Sequence, residues 1–111
     1  MEQLAARLLR QARDGQLVMR QAQDDGLQLL VCPLPDGALV ALGFDRDSAH
    51  RVLPESVLRR RAAMPERYSG WLPAMLADGS WYVVRRVRDD GGGAAMPPDA
   101  AQWRAARELL A

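Results

Sequence analysis

Lysine is missing from the chain: all 15 basic residues are arginine, set against 14 acidic ones for a net charge of +1. That balance excludes the overall field that would draw a protein onto nucleic acid or an anionic membrane. Cysteine occurs once, at Cys32, which excludes an intrachain disulfide framework and a multi-cysteine metal site and is compatible with a reducing compartment. Histidine and phenylalanine also occur once each, as His50 and Phe44. No stretch approaches the roughly 20 consecutive apolar residues of a membrane span. Met1-Glu2-Gln3 opens acidic and leads into apolar residues at helical spacing, unlike a secretory leader. The expectation is a soluble, cytoplasmic protein. With 111 residues there is room for one modest core, so a single domain over 1–111 is expected. The 18 alanines beside the all-arginine basic set read as the coding bias of a GC-rich genome rather than a physical requirement.

What the chain does have is concentrated apolar β-structure. The run from Leu27 to Phe44 reads as two strands joined by a Pro35-Asp36-Gly37 turn. Leu27, Leu29 and Val31 alternate onto one face, as in a half-buried strand, while Ala38 to Phe44 is apolar almost throughout, as in a strand covered on both faces. Asp25-Gly26 signals a preceding hairpin turn, which places another strand at about 16 to 22 and makes a three-stranded meander. Pro33 donates no ladder hydrogen bond and marks a strand end or an edge.

Helices flank this meander. Residues 2 to 14 carry Leu4, Ala5, Leu8, Leu9 and Ala12 on one stripe, with Gly15 as the expected stop. After Phe44, Asp45 or Asp47 offers a helix cap, and a helix is expected to run to about residue 64 with Val52, Leu53, Val57 and Leu58 on its buried side. Pro54 interrupts it; a short turn followed by a helix beginning at Pro54 puts Glu55 in the first turn and is preferred. Tyr68 to Leu72 suits a short strand, though Pro73 to Ala77 suits a helical turn equally well. Ser80 to Arg88 is a strand with Trp81, Val83 and Arg85 on one face and Tyr82, Val84 and Arg86 on the other. Asp89 through Pro98, with Gly91-Gly92-Gly93, reads as a connection, and Asp99 caps a last helix carrying Trp103, Ala106 and Leu110. The predicted class is α+β: an antiparallel sheet, order α-β-β-β-α-β-β-α, with helices packed on one face.

Candidate chemistry is sparse. Asp47 and His50 stand three apart and could touch on a helix, but no motif ties a nucleophile to them, so a surface histidine is expected. Asp45, Asp47 and Glu55 lack the loop glycine and terminal glutamate of a calcium loop and read as caps. Gly91 to Gly93 lacks the Gly-Lys-Ser/Thr ending of a phosphate loop. Arg59-Arg60-Arg61 fans around a helix, and Arg85, Arg86 and Arg88 divide between the faces of a strand, so neither run makes one basic patch. Cys32 has no activating partner. Trp71, Trp81 and Trp103 fall in three separate elements; core is favoured for Trp81, while core and interface stand level for Trp71. No catalytic, metal or cofactor residue is assigned.

The element order is carried by Leu4-Ala5-Ala6-Arg7-Leu8-Leu9, the meander from Leu17 to Phe44, Gly70-Trp71-Leu72 ahead of the strand from Trp81 to Val87, and the helix after Pro97-Pro98. It resembles the class I chaperones of bacterial type III secretion, the Tir-chaperone-like group. The resemblance spans nearly the whole chain and is one of topology. It implies a non-enzymatic homodimer that holds an extended segment of a secreted partner, without cofactor. On that resemblance Leu4, Leu8, Leu9, Leu27, Leu29 and Val31 would line the partner groove, and Val57, Leu58, Trp71 and Trp81 would sit near the dimer interface. Such chaperones are usually acidic and this chain is slightly basic, so a related secretion regulator that binds another protein is a live option beside an effector chaperone. Two competing readings are a small immunity or inhibitor protein that binds a folded toxin, and a small hydrolase built around His50.

Overall fold

The computed structural model describes residues 1–23, 26–89 and 97–111. Its elements are α1 (Glu2–Gly15), β1 (Met19–Ala22), β2 (Leu27–Leu34), β3 (Gly37–Phe44), α2 (Pro54–Ala63), α3 (Pro65–Tyr68), β4 (Leu72–Met75), β5 (Trp81–Arg88) and α4 (Ala100–Leu110), with a short 3-10 turn at Ala49–Arg51. This is the expected α+β order, with α3 as a single added turn. The strands form one antiparallel sheet in the order β1-β2-β3-β5-β4, which leaves β1 and β4 as its edges.

The hairpin at the centre pairs Leu27 with Phe44 through to Leu34 with Gly37, closing over Pro35-Asp36. Pro33 is inside β2, at a position beyond the reach of β1, whose pairing ends at Met19 opposite Val31. The sheet face bearing Leu27, Leu29, Val31, Val40, Leu42 and Val83 receives the helices, and these residues join Leu8, Leu9, Val57, Trp71, Trp103 and Leu109 in one core. Each such large side chain contributes about 1.5–3 kcal/mol by leaving water.

Local signals explain most boundaries. The first helix buries Ala5, Leu8, Leu9 and Ala12, the stripe its spacing prescribes. Its left-handed terminating residue is Gln16, at φ 51°, and not Gly15; the Gln16 N–H bonds back to the last turn and its side-chain amide donates to the Arg13 carbonyl at 2.7 Å. Pro54 occupies the first turn of α2 with Glu55 beside it. At the start of α4, Asp99 accepts the Gln102 backbone N–H at 2.8 Å while the Gln102 side chain accepts the Asp99 N–H at 2.9 Å. The far end of α4 is capped from another element: Arg60 Nη1 donates to the carbonyls of Glu108 at 2.8 Å and Ala111 at 2.7 Å.

Two expectations are corrected. Leu53 and Leu58 are exposed, and only Val57 of α2 reaches the core. Leu53 is the residue before the helix, and Leu58 is turned about 100° from Val57 by the helical step. The uncertain strand is real but begins at Leu72 and contains Pro73, which an edge strand tolerates.

Candidate protein-binding surfaces

The residues expected to form a partner groove are interior. Leu8, Leu9, Leu27, Leu29 and Val31 are all buried, and Leu4 is half-buried against the same core. Helix α1 lies along β2, so each apolar row is the other's cover. The expected open groove is therefore corrected: these side chains are spent inside the subunit.

Of the four residues expected at a dimer interface, Val57 and Trp71 are also interior, and Trp81 packs partly buried at the core's margin. Trp71 is 1% exposed. Its indole N–H donates to the Gln102 carbonyl at 3.0 Å, and its ring meets Trp103 with centroids 5.4 Å apart. Arg85 sets its guanidinium 5.9 Å from the ring centroid, in the space that Gly70 leaves by having no side chain. Leu58, 53% exposed, is the one member of the four that faces outward.

The second sheet face was not anticipated as a surface. Leu30, Ala41 and Tyr82 form a small separate cluster there with Cys32 and Val84, and no residue of a described helix belongs to it. Tyr82 is buried because its ring lies over Gly43, where an added Cβ would stand 2.7 Å from the ring; its hydroxyl donates to Gln28 Oε1 at 3.2 Å. Burial raises the Tyr82 hydroxyl and the Cys32 thiol above their ordinary values, although nearby Arg20 opposes both shifts. Cys32 thus stays protonated at neutral pH, which suits packing and not nucleophilic chemistry.

Exposed large apolar side chains gather at the two sheet edges and beside them. Leu17 and Val18, at 62% and 60% exposed, lead into β1. Leu72 and Met75, at 58% and 68%, sit on β4, with Leu76 just after it and Leu53, Leu58 and Met64 in or beside α2. A visible signal for β4 existed in Leu72-Pro73-Ala74-Met75: a short apolar strand holding a proline belongs at an edge, where one side has no neighbour.

The charged side chains mostly brace the fold. Arg67 holds Glu108 through two 2.7 Å bonds, and the Tyr68 hydroxyl donates to the same carboxylate at 2.8 Å. Those bonds lower the Glu108 pKa to about 2. Arg13 grips Asp89 at 2.7 Å, and Arg86 grips Asp36 at 2.7 Å, lowering the Asp36 pKa. As expected, the arginine runs disperse: Arg59 is solvated, Arg60 caps α4, and Arg61 is half-buried near the Ser69 carbonyl. His50 is exposed in the 3-10 turn with no hydrogen bond to Asp47 or Ser48 among the described residues, and Asp45 caps the turn by accepting the Ser48 N–H at 3.0 Å. The Gly91 to Gly93 stretch lies outside the described residues. Among the described residues no three His, Cys, Asp or Glu side chains gather to hold a metal ion, and no helix is long and apolar enough to cross a membrane. No family model, curated protein or solved structure matches the chain.

Proposed function

We propose that this chain is a non-enzymatic protein-binding module, a dimeric chaperone or regulator of the bacterial type III secretion kind, which holds an extended segment of a secreted partner in the cytoplasm. The observation carrying this reading is a sheet with two unpaired edges, each accompanied by exposed large apolar side chains. An edge strand lends backbone donors and acceptors to an added strand, and neighbouring apolar side chains take up alternate residues of the guest. The mechanism needs no nucleotide and no chemistry. The guest's site moves from the interior row of Leu8 and Leu29 to the β1 edge, with exposed Leu17 and Val18 leading into it and half-buried Cys32 on its partner β2. The second subunit packs at the β4 edge, against Leu72 and Met75.

Light scattering on the purified chain, with Leu72→Asp and Met75→Asp variants, tests the dimer. A dimer that becomes a monomer in the variants supports the reading, and a monomeric wild-type chain refutes that half of it. Retention of an unfolded or N-terminal segment of a secreted protein from a native lysate supports the other half. Retention of a folded toxin or enzyme by a monomer replaces it with the inhibitor reading.

A further inference from the structure

The helix side of the molecule carries a cleft that neither sheet edge uses. It opens between the first turn of α1 and the flank of α4, has a volume of about 510 Å³, and is lined by Trp103, Arg104 and Arg107 together with Glu2. A second recess of about 290 Å³ shares Arg107 and is floored by Leu27, Phe44 and Leu110. The two recesses adjoin at Arg107 and form a channel in two parts, with apolar lining residues and arginine in each.

We propose that this channel receives an acidic segment of the protein partner, its carboxylates meeting Arg104 and Arg107 and an apolar side chain lying beside Trp103. The inference rests on the protein-binding reading above and names the chemistry of what is bound.

Four observations carry it. Arg104 and Arg107 stand three apart on α4, so they project from the same face, and like charges at that spacing disfavour a helix. Neither has an ion pair at contact distance among the described residues: Glu108 feels the Arg104 charge but is held directly by Arg67 and Tyr68. Among the described side chains lining the two recesses, Arg51, Arg104 and Arg107 stand against one carboxylate, Glu2, so cations outnumber acids there. Trp103 adds a buried indole N–H without a hydrogen-bond partner, one of only two such side-chain atoms among the described residues. An arginine fork facing a carboxylate gives charge-assisted, paired hydrogen bonds, while the apolar floor favours aliphatic side chains over a sugar-phosphate backbone. The near-zero net charge also disfavours nucleic acid as the guest.

The test uses fluorescence anisotropy on the full chain with two fluorescein-labelled synthetic peptides, one alternating Glu with Leu and one with Gln in place of every Glu. The Glu peptide is expected to bind at least about tenfold more tightly than the Gln peptide, as follows from charge-assisted bonds, and to weaken as salt is raised. The Arg104→Gln/Arg107→Gln double variant is expected to lose that margin, while Arg88→Gln, exposed at the far end of the β3–β5 ladder from Phe44, keeps it. Equal binding of the two peptides overturns the proposal, as does a margin that survives in the double variant, an absence of binding to either peptide, or tighter binding of a single-stranded oligonucleotide of equal charge. The comparison of peptides on the wild-type chain stands even if the variant fails to fold. Dimerisation through Leu72 and Met75 is read separately, so its failure and the failure of the channel are distinguishable.

Discussion

Trp71→Ala is the substitution that separates a core role from an interface role for the least exposed tryptophan. Trp71 joins the turn before β4 to α4 through its ring contact with Trp103 and the 3.0 Å bond to Gln102. Truncating a fully buried aromatic costs about 3–5 kcal/mol in transfer and cavity terms. Of this, the ring pair accounts for about 0.5–1.5 kcal/mol and the indole hydrogen bond for about 1 kcal/mol. Since a domain of this size has only about 5–15 kcal/mol in total, Trp71→Ala is expected to leave a marginal protein. Trp71→Phe, which keeps a ring but loses the N–H, gives a graded control expected to cost about 1–2 kcal/mol. Urea unfolding followed by far-ultraviolet circular dichroism reads both, at one fixed protein concentration because any dimer shifts the midpoint by mass action. A loss below about 1 kcal/mol for Trp71→Ala would refute the core assignment, most directly if the same variant turned a dimer into a monomer.

Acid should strip one identifiable stabilising contribution. The Glu108 pKa is about 2 in the folded chain, against about 4.3 for an ordinary glutamate, so its contribution is complete above the ordinary value and is lost as pH falls toward 2. Wild-type urea midpoints should fall over that window more steeply than those of Glu108→Gln; parallel profiles would contradict the assignment. Gln16→Gly should stabilise by about 0.5 kcal/mol, since removing the left-handed penalty outweighs the lost side-chain bond to Arg13, and a thermal melt would register the gain. Gly43→Ala drives a Cβ into the Trp81 carbonyl oxygen and the Tyr82 ring, so it should destabilise by about 1–3 kcal/mol in urea titrations.

The sequence was most legible where a signal is local. The stripe of α1, the Pro54 start of α2, the Asp99 cap of α4 and the alternation of β5 each depend on neighbours within a turn or two, and the structure bears each out. The boundary of β4 depends on pairing Leu72 with Val84 and Met75 with Trp81, which no local pattern states. The groove residues failed for a deeper reason. An apolar row on β2 requires cover, and periodicity cannot distinguish cover supplied by α1 from cover supplied by a guest. In the same way, helical spacing assigns Val57 and Leu58 together to the buried side of α2, whereas the structure turns only Val57 inward.

The two edges are not equivalent, and the difference bears on how a partner could use them. Strand β4 includes Pro73, which has no N–H to offer, so its capacity to extend the sheet is cut within a strand of only four residues. Its exposed Leu72 and Met75 favour side-chain packing between subunits over a continuous inter-subunit ladder. Strand β1 is equally short but has no proline, and Leu17 and Val18 sit immediately before it. Its partner β2 continues past it to Leu34, but Pro33 lies in that unpaired stretch, so an added strand is served by β1 itself. A guest strand is therefore better served at β1 and a second subunit at β4. Under this division Leu72→Asp should abolish dimerisation while sparing peptide capture, and proline at Gln21 should do the reverse. Loss of both functions together in either folded variant would mean that the edges do not act separately.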